Sequence, residues 1–193
     1  EYFGRGDGAK FSIGLPRDSI CCGSSRASGV ILNRISQSAV VSKLADIEVS
    51  SRGSIIEIGE NCFIDSFVKF KFAGGLGNIV LNDNVHVNSG CVLYSGNSIS
   101  IGSNTLIAAN CTLAATNHAF SSKKKLIRDQ GFMPSKGGII IGDDCWIGAN
   151  CVLLDGACLG TGSVIAAGSI IRGRVESYSI CAVNEKNTIG HRK

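Results

Sequence analysis

IGDDCWIGANCVLLDGACLGTGSVIAAGSII, residues 141–171, repeats itself every six residues. Ile141, Ile147, Leu153, Leu159, Ile165 and Ile171 recur at that step. A small residue stands four places after each of the first five (Cys145, Cys151, Ala157, Ser163 and Ser169), and the larger Val175 closes the run. Gly142, Gly148, Gly160 and Ala166 follow directly after the aliphatic residue. Helical periodicity and simple strand alternation both fail to produce this pattern. A six-residue step suits a short strand followed by a turn, with the aliphatic and the small residue both pointing inward and glycine permitting the bend.

The same frame extends toward the N-terminus through Ile58, Ile64 and Phe70, then Leu81, Val87 and Leu93, then Ile101, Ile107 and Leu113. The small inward place is taken by Cys62, Val68, Val85, Cys91, Thr105 and Cys111. The step breaks at three points: 11 residues from Phe70 to Leu81, 8 from Leu93 to Ile101 and 28 from Leu113 to Ile141. Each uninterrupted block is three repeats long, or twice three. If three repeats close one circuit, every insertion leaves from one corner of a three-sided coil, where an exposed chain is free to loop out. The fold class expected is therefore all-β: a triangular parallel β-helix of at least five turns with one long extruded loop.

Composition agrees with a narrow, tightly stacked core. Hydrophobic residues make up 44% of the 193 residues but aromatics only 6%, with 25 Gly and 2 Pro. A charged fraction of 18% argues against long surface helices. Nine cysteines, an odd number without a CxxC pair, argue against a disulfide framework or zinc ribbon. Five of them (Cys62, Cys91, Cys111, Cys145 and Cys151) fill the small inward place, so they read as reduced thiols in a cytoplasmic protein. The pair Cys21-Cys22 has no such explanation. No apolar run approaches the ~18 residues of a membrane span. The chain opens at Glu1 without an initiating Met or a signal peptide, which suggests a trimmed N-terminus. Three regions are expected: 1–54, irregular with partial coils; 55–183, the β-helix with a loop insertion at 119–138; and 184–193, a tail.

The repeats resemble those of the left-handed parallel β-helix acyltransferases. GSNTLIAANCTLAATNHAF, residues 102–120, resembles the segment that ends in the catalytic histidine of the galactoside, maltose and polysaccharide O-acetyltransferases, and residues 141–171 resemble the coils that bind the cofactor. The resemblance implies a left-handed coil, acetyl-CoA as co-substrate without a metal, a saccharide acceptor, and a homotrimer with active sites between subunits. It implies that His118 is the general base, that the Ala149 backbone N–H is an oxyanion donor, and that Asn88 and Asn117 lie near the acceptor. The CoA arm would meet Gly148, Ala166, Ala167, Gly168, Arg172 and Arg174, and the outward Trp146 suggests a contact surface, either for another subunit or for that arm. At the C-terminus the chain departs from the family's Gly-x-Pro segment, reading Val183 and Asn184-Glu185, so the adenine-end contacts do not carry over.

Acyl transfer to an alcohol requires removal of the hydroxyl proton and stabilisation of a tetrahedral oxyanion. A neutral imidazole suits the first task. His118 ends its repeat where the longest insertion begins, which puts it at a corner. Residues 119–138 carry Lys123, Lys124, Lys125, Arg128 and Lys136 against Asp129, a net +4 that equals the formal charge of the whole chain. Such a concentration of positive potential calls for an anion: CoA phosphates, an acidic sugar or a nucleotide-linked acceptor. The basic run lacks interleaved aromatics, which argues against nucleic acid.

Other functions remain open on these residues. An N-acetyltransferase of an amino sugar or nucleotide-sugar is the nearest. A zinc hydratase would need three imidazoles, and His86, His118 and His191 are the only candidates. A non-enzymatic binding solenoid would need a regular outward array, whereas the outward positions are mixed.

Overall fold

The computed structural model describes residues 32–182 and the backbone of Thr188–His191. Cys21-Cys22 and the Val183, Asn184-Glu185 departure lie outside the described residues. Among the described residues, twenty short strands wind into coils of three and one more pairs antiparallel at the end. β1 (Arg34–Ile35), β2 (Val40–Val41) and β3 (Asp46–Ile47) form coil 1; β4 (Ile56–Ile58), β5 (Phe63–Ile64) and β6 (Lys69–Lys71) form coil 2. Coil 3 holds β7 (Ile79–Leu81), β8 (His86–Val87) and β9 (Val92–Tyr94); coil 4 holds β10 (Ile99–Ile101), β11 (Leu106–Ile107) and β12 (Thr112–Ala114). Coil 5 holds β13 (Ile139–Ile141), β14 (Trp146–Ile147) and β15 (Val152–Leu154); coil 6 holds β16 (Cys158–Leu159), β17 (Val164–Ile165) and β18 (Ile170–Ile171). β19 (Arg174–Val175) and β20 (Ser179–Cys181) begin a seventh coil, and β21 (Thr188–His191) follows.

Strands of successive coils pair in parallel, and three sheets result. Sheet A runs β1-β4-β7-β10-β13-β16-β19, sheet B runs β2-β5-β8-β11-β14-β17-β20-β21, and sheet C runs β3-β6-β9-β12-β15-β18. The register carries each inward aliphatic over the one below: Val87 pairs with Ile107, Ile107 with Ile147 and Ile147 with Ile165. All fifteen large inward residues of the repeat, fourteen aliphatics and Phe70, are buried, and so are all twelve residues of the small place. Each buried aliphatic contributes roughly 1.5–3 kcal/mol. The coil-1 strands already keep the six-residue spacing within the region expected to hold partial coils.

The insertions behave as one corner predicts. Residues 72–78, 95–98 and 115–138 all join a sheet-C strand to the next sheet-A strand, so they stack along a single C–A edge. Within the tail, β21 pairs antiparallel with β20 at the end of sheet B.

Glycine's part differs from the bend first inferred. The left-handed backbone falls three places after the inward aliphatic, where Asn61, Asn84, Asn104, Asn110, Asp144 and Asn150 take φ between 53° and 61° and Gly90, Gly156, Gly162 and Gly168 take φ between 71° and 91°. Asn and Asp tolerate that region because their short polar side chains bond locally. The glycine directly after the aliphatic serves stacking. A Cβ on Gly148 would sit 2.5 Å from the Ala167 amide nitrogen, and one on Gly160 would sit 2.5 Å from that of Ser177.

Candidate active site

His118 stands on the neck of the longest insertion, at the C–A edge between coils 4 and 5. The outgoing strand forms an isolated antiparallel bridge with the returning one at His118 and Phe132. Two backbone bonds close the neck: Met133 N–H donates to Asn117 O at 2.8 Å, and Ala119 N–H donates to Gly131 O at 3.0 Å. The imidazole is exposed and lies against the Phe132 ring, centroids 4.7 Å apart. Phe132 in turn sits over Gly74, whose missing side chain would otherwise come within 2.8 Å of the ring. A histidine on a bare loop would sweep many orientations, whereas this one is braced on its aromatic flank.

Beyond the neck the loop closes on itself. Gln130 accepts from Ser122 N–H and donates to the carbonyls of Ser122 and Lys125, each at 3.0 Å. Residues 123–129 are all exposed, so Lys123, Lys124, Lys125 and Arg128 project into solvent. Among the described residues only Arg128 has a counter-charge there, Asp129 at 3.7 Å.

A second group gathers on a different edge, between sheets B and C. Asn88, Gly148-Ala149 and Ala166-Ala167-Gly168 are corner residues of coils 3, 5 and 6. The buried thiols behind this edge orient it. Cys111 Sγ donates to Gly148 O at 3.1 Å and Cys151 Sγ donates to Ala166 O at 3.2 Å. A trans peptide sets its N–H opposite its carbonyl. With the Gly148 carbonyl turned inward to the thiol, the Ala149 N–H is turned outward, and among the described residues no protein group accepts it. The neighbouring Cys151 thiol pulls Cys111 down, but the Cys91 thiol and burial outweigh it and push Cys111 up to about 11, so it remains a protonated donor at neutral pH. Sequence spacing marked these cysteines as core residues; their orienting role required the hydrogen bonds.

The remaining residues divide between these regions. Trp146 faces outward on sheet B, 55% exposed, in a ladder with Leu106 and Val164. Asn88 uses its side chain to bond Ile107 O at 2.9 Å, which ties it into the turn. Gly168 has φ +74° and nothing within 4 Å of where a Cβ would be, so it forms an open ledge beside Ala149. Arg172 is exposed at the C–A edge, and Arg174 pairs with Glu176 at 3.1 Å. His86 is exposed on sheet B with its ring over Phe63. Among the described residues no cluster of three or more His, Cys, Asp or Glu could hold a metal, and no helix is long and apolar enough to cross a membrane. A concavity of about 710 Å³ lies around Arg34, Glu57 and Asp83, between sheets A and B and away from His118.

One buried group escaped the sequence reading. Asp155 is 4% exposed at the C–A edge, where the corresponding residues of earlier coils are Phe72, Ser95 and Ala115. A carboxylate in an inward-facing place of the repeat was the signal that could have revealed it.

The stacked coils and their six-residue repeats define a left-handed parallel β-helix fold. Residues 138–173 match the bacterial transferase hexapeptide family (six repeats). The chain is 35% identical to a galactoside O-acetyltransferase of Escherichia coli K12, over 64% of this chain and 60% of that protein. It is 28% identical to the galactoside O-acetyltransferase of Lactococcus lactis, over 74% of this chain and 65% of the relative. The chain thus spans about six tenths of the length of these curated relatives. Among solved structures, a variant of AntD, an N-acyltransferase from Bacillus cereus bound to dTDP-4-amino-4,6-dideoxyglucose and coenzyme A, superposes with TM-score 0.69 at 20% identity, covering 86% of each chain. A hexapeptide-repeat acetyltransferase from Vibrio cholerae gives 0.58 at 21% identity, covering 86% of this chain and 74% of the other.

Proposed function

We propose that this protein transfers an acetyl group from acetyl-CoA to a hydroxyl of a sugar or cell-surface polysaccharide, with His118 as general base. The observation that carries this is the exposed, Phe132-braced imidazole on one edge of a coil whose adjoining edge presents an outward amide. His118 accepts the proton of the acceptor hydroxyl as its oxygen attacks the thioester carbonyl. The Ala149 N–H donates to the oxygen on which negative charge then develops. As the carbon–sulfur bond breaks, the His118 imidazolium returns the proton to the departing thiolate. The bare ledge at Ala166 to Gly168 fits an extended pantetheine arm, and Arg172 suits its phosphates.

His118 belongs to the C–A edge of the prism, while Ala149, Gly168 and Asn88 belong to the B–C edge. A site using both sets is completed by placing the two edges of different copies side by side. The sheet-B ladder of exposed Leu106 and Trp146 with half-buried Val164 offers an apolar contact face. A homotrimer satisfies both demands and supports the assembly suggested by the resemblance. The cytoplasm, where acetyl-CoA is available and unpaired thiols stay reduced, is the compartment that fits. The cationic loop favours an acidic or nucleotide-linked acceptor.

The test is an acetyl-CoA-dependent acceptor screen over neutral sugars, acidic sugars, amino sugars and oligosaccharides, with light scattering on the same sample. His118→Ala should cost about 10²–10⁴-fold in rate. Full activity in that variant, or a stable active monomer, would defeat the proposal; turnover confined to amino sugars would reassign it as an N-acetyltransferase.

A further inference from the structure

We infer that Asp155 is the positioning residue for His118, acting through the returning strand of the 119–138 loop; the inference rests on the acyltransferase reading above. Asp155 Oδ2 accepts from the backbone N–H of Lys136 at 2.9 Å and from Asn97 Nδ2 at 3.2 Å. Its Oδ1 accepts from the Gly138 N–H at 2.9 Å. A fourth bond completes the clasp, from Gly156 N–H to Gly138 O at 2.6 Å. One carboxylate therefore clips together three pieces of chain: the coil-3 corner at Asn97, the foot of the returning strand at 136–138, and the coil-5 corner on which Asp155 itself sits.

The donor set explains why a carboxylate is needed. Among the described residues no Lys or Arg pairs with Asp155. Burying an ionised carboxylate without a cation is costly unless its oxygens are saturated by donors. Two backbone amides and a side-chain amide do this here. Their directions are fixed by the peptide planes, so the bonds locate backbone atoms, which a swivelling ammonium would not do. A neutral amide in the same place would have one acceptor oxygen, and its NH₂ would face another N–H.

The mechanical path to the imidazole is short. Residues 136–138 are held by Asp155, and Phe132 and Met133 lie three to six residues upstream. Phe132 stacks on His118, and Met133 bonds Asn117. The neck has two supports on the coil: Phe132 over Gly74 at one end, and the Asp155 clasp at the other. Losing the clasp leaves the imidazole hinged on the first support alone.

The experiment compares Asp155→Ala, Asp155→Asn and Asp155→Glu with wild type in amide hydrogen exchange and in steady-state kinetics, with His118→Ala as control. In the Ala and Asn variants, exchange at residues 117–119 and 131–138 should rise at least about tenfold while the sheet strands keep their protection. Their kcat should fall by about 10²-fold, the scale of an ångström-sized misplacement of a reacting group. KM for acetyl-CoA should stay within about twofold, because the Ala149 and Gly168 edge is untouched. Asp155→Glu, which restores the carboxylate, should recover part of kcat. Unchanged loop exchange in both variants would overturn the inference, as would a loss of activity that merely follows the unfolded fraction. If His118→Ala turns over like wild type, the acyltransferase reading fails by itself; the exchange data still decide whether the clasp holds the neck.

Discussion

Replacing Gly148 by Ala adds one methyl group at the tightest point between coils 5 and 6. The added Cβ would lie 2.5 Å from Ala167 N, 2.9 Å from Ala167 Cα and 2.9 Å from Ile165 O. All three atoms are backbone, so no side chain can swing away. Gly148 has no left-handed φ, so alanine suffers no conformational penalty of its own there. Relief requires the corner to move by nearly an ångström, against the 2.8 Å bond from Gly148 N–H to Ile165 O. Overpacking of this kind costs about 1–3 kcal/mol. For a chain of this size that is a Tm lower by about 2–12 °C. Gly168→Ala is the matched control, because nothing lies within 4 Å of its Cβ position and the only cost is a φ of +74°, roughly 1–2 kcal/mol. The assay is thermal and urea unfolding of both variants at equal protein concentration, with KM for acetyl-CoA measured alongside. Gly148→Ala should also raise that KM, since the Ala149 and Ala167 amides shift with the corner. A Gly148→Ala protein as stable as wild type would refute the steric reasoning; an acetyl-CoA KM unchanged in both variants would refute the placement of the thioester arm.

Two further outcomes follow from charge and protonation. Reversing Lys123, Lys124 and Lys125 to Glu should raise acceptor KM more than acetyl-CoA KM if the loop recognises an acidic acceptor, and the gap should narrow in high salt; equal effects on both would count against that role. Cys111 keeps its proton to about pH 11 in the fold, against an ordinary value of 9.0. Between those values only the unfolded chain releases the proton, so its contribution is intact below pH 9 and is lost as pH rises toward 11. The loss should be about 1–3 kcal/mol, seen as falling urea midpoints from pH 8 to 10.5 that flatten in Cys111→Ala; identical slopes would contradict it.

The six-residue step determined the coil because one strand-plus-turn unit must repeat its inward pattern to stack on itself. The blocks of three and the shared insertion corner followed from spacing alone, and so did the outward place of Trp146 and the loop's charge. Handedness came from resemblance, since spacing is identical for either hand. The tertiary structure decided everything that depends on the stacking of coils distant in sequence. It showed that glycine directly after the aliphatic serves coil contact while Asn, Asp and other glycines three places on carry the left-handed turn, and that the Cys111 thiol aims the Ala149 amide. It also separated His118 from the Ala149 edge within one chain and revealed the Asp155 clasp. A one-dimensional repeat fixes which residues face inward. Which inward atoms meet across coils, and which edges must meet across copies, depends on distances that exist only once the prism is wound.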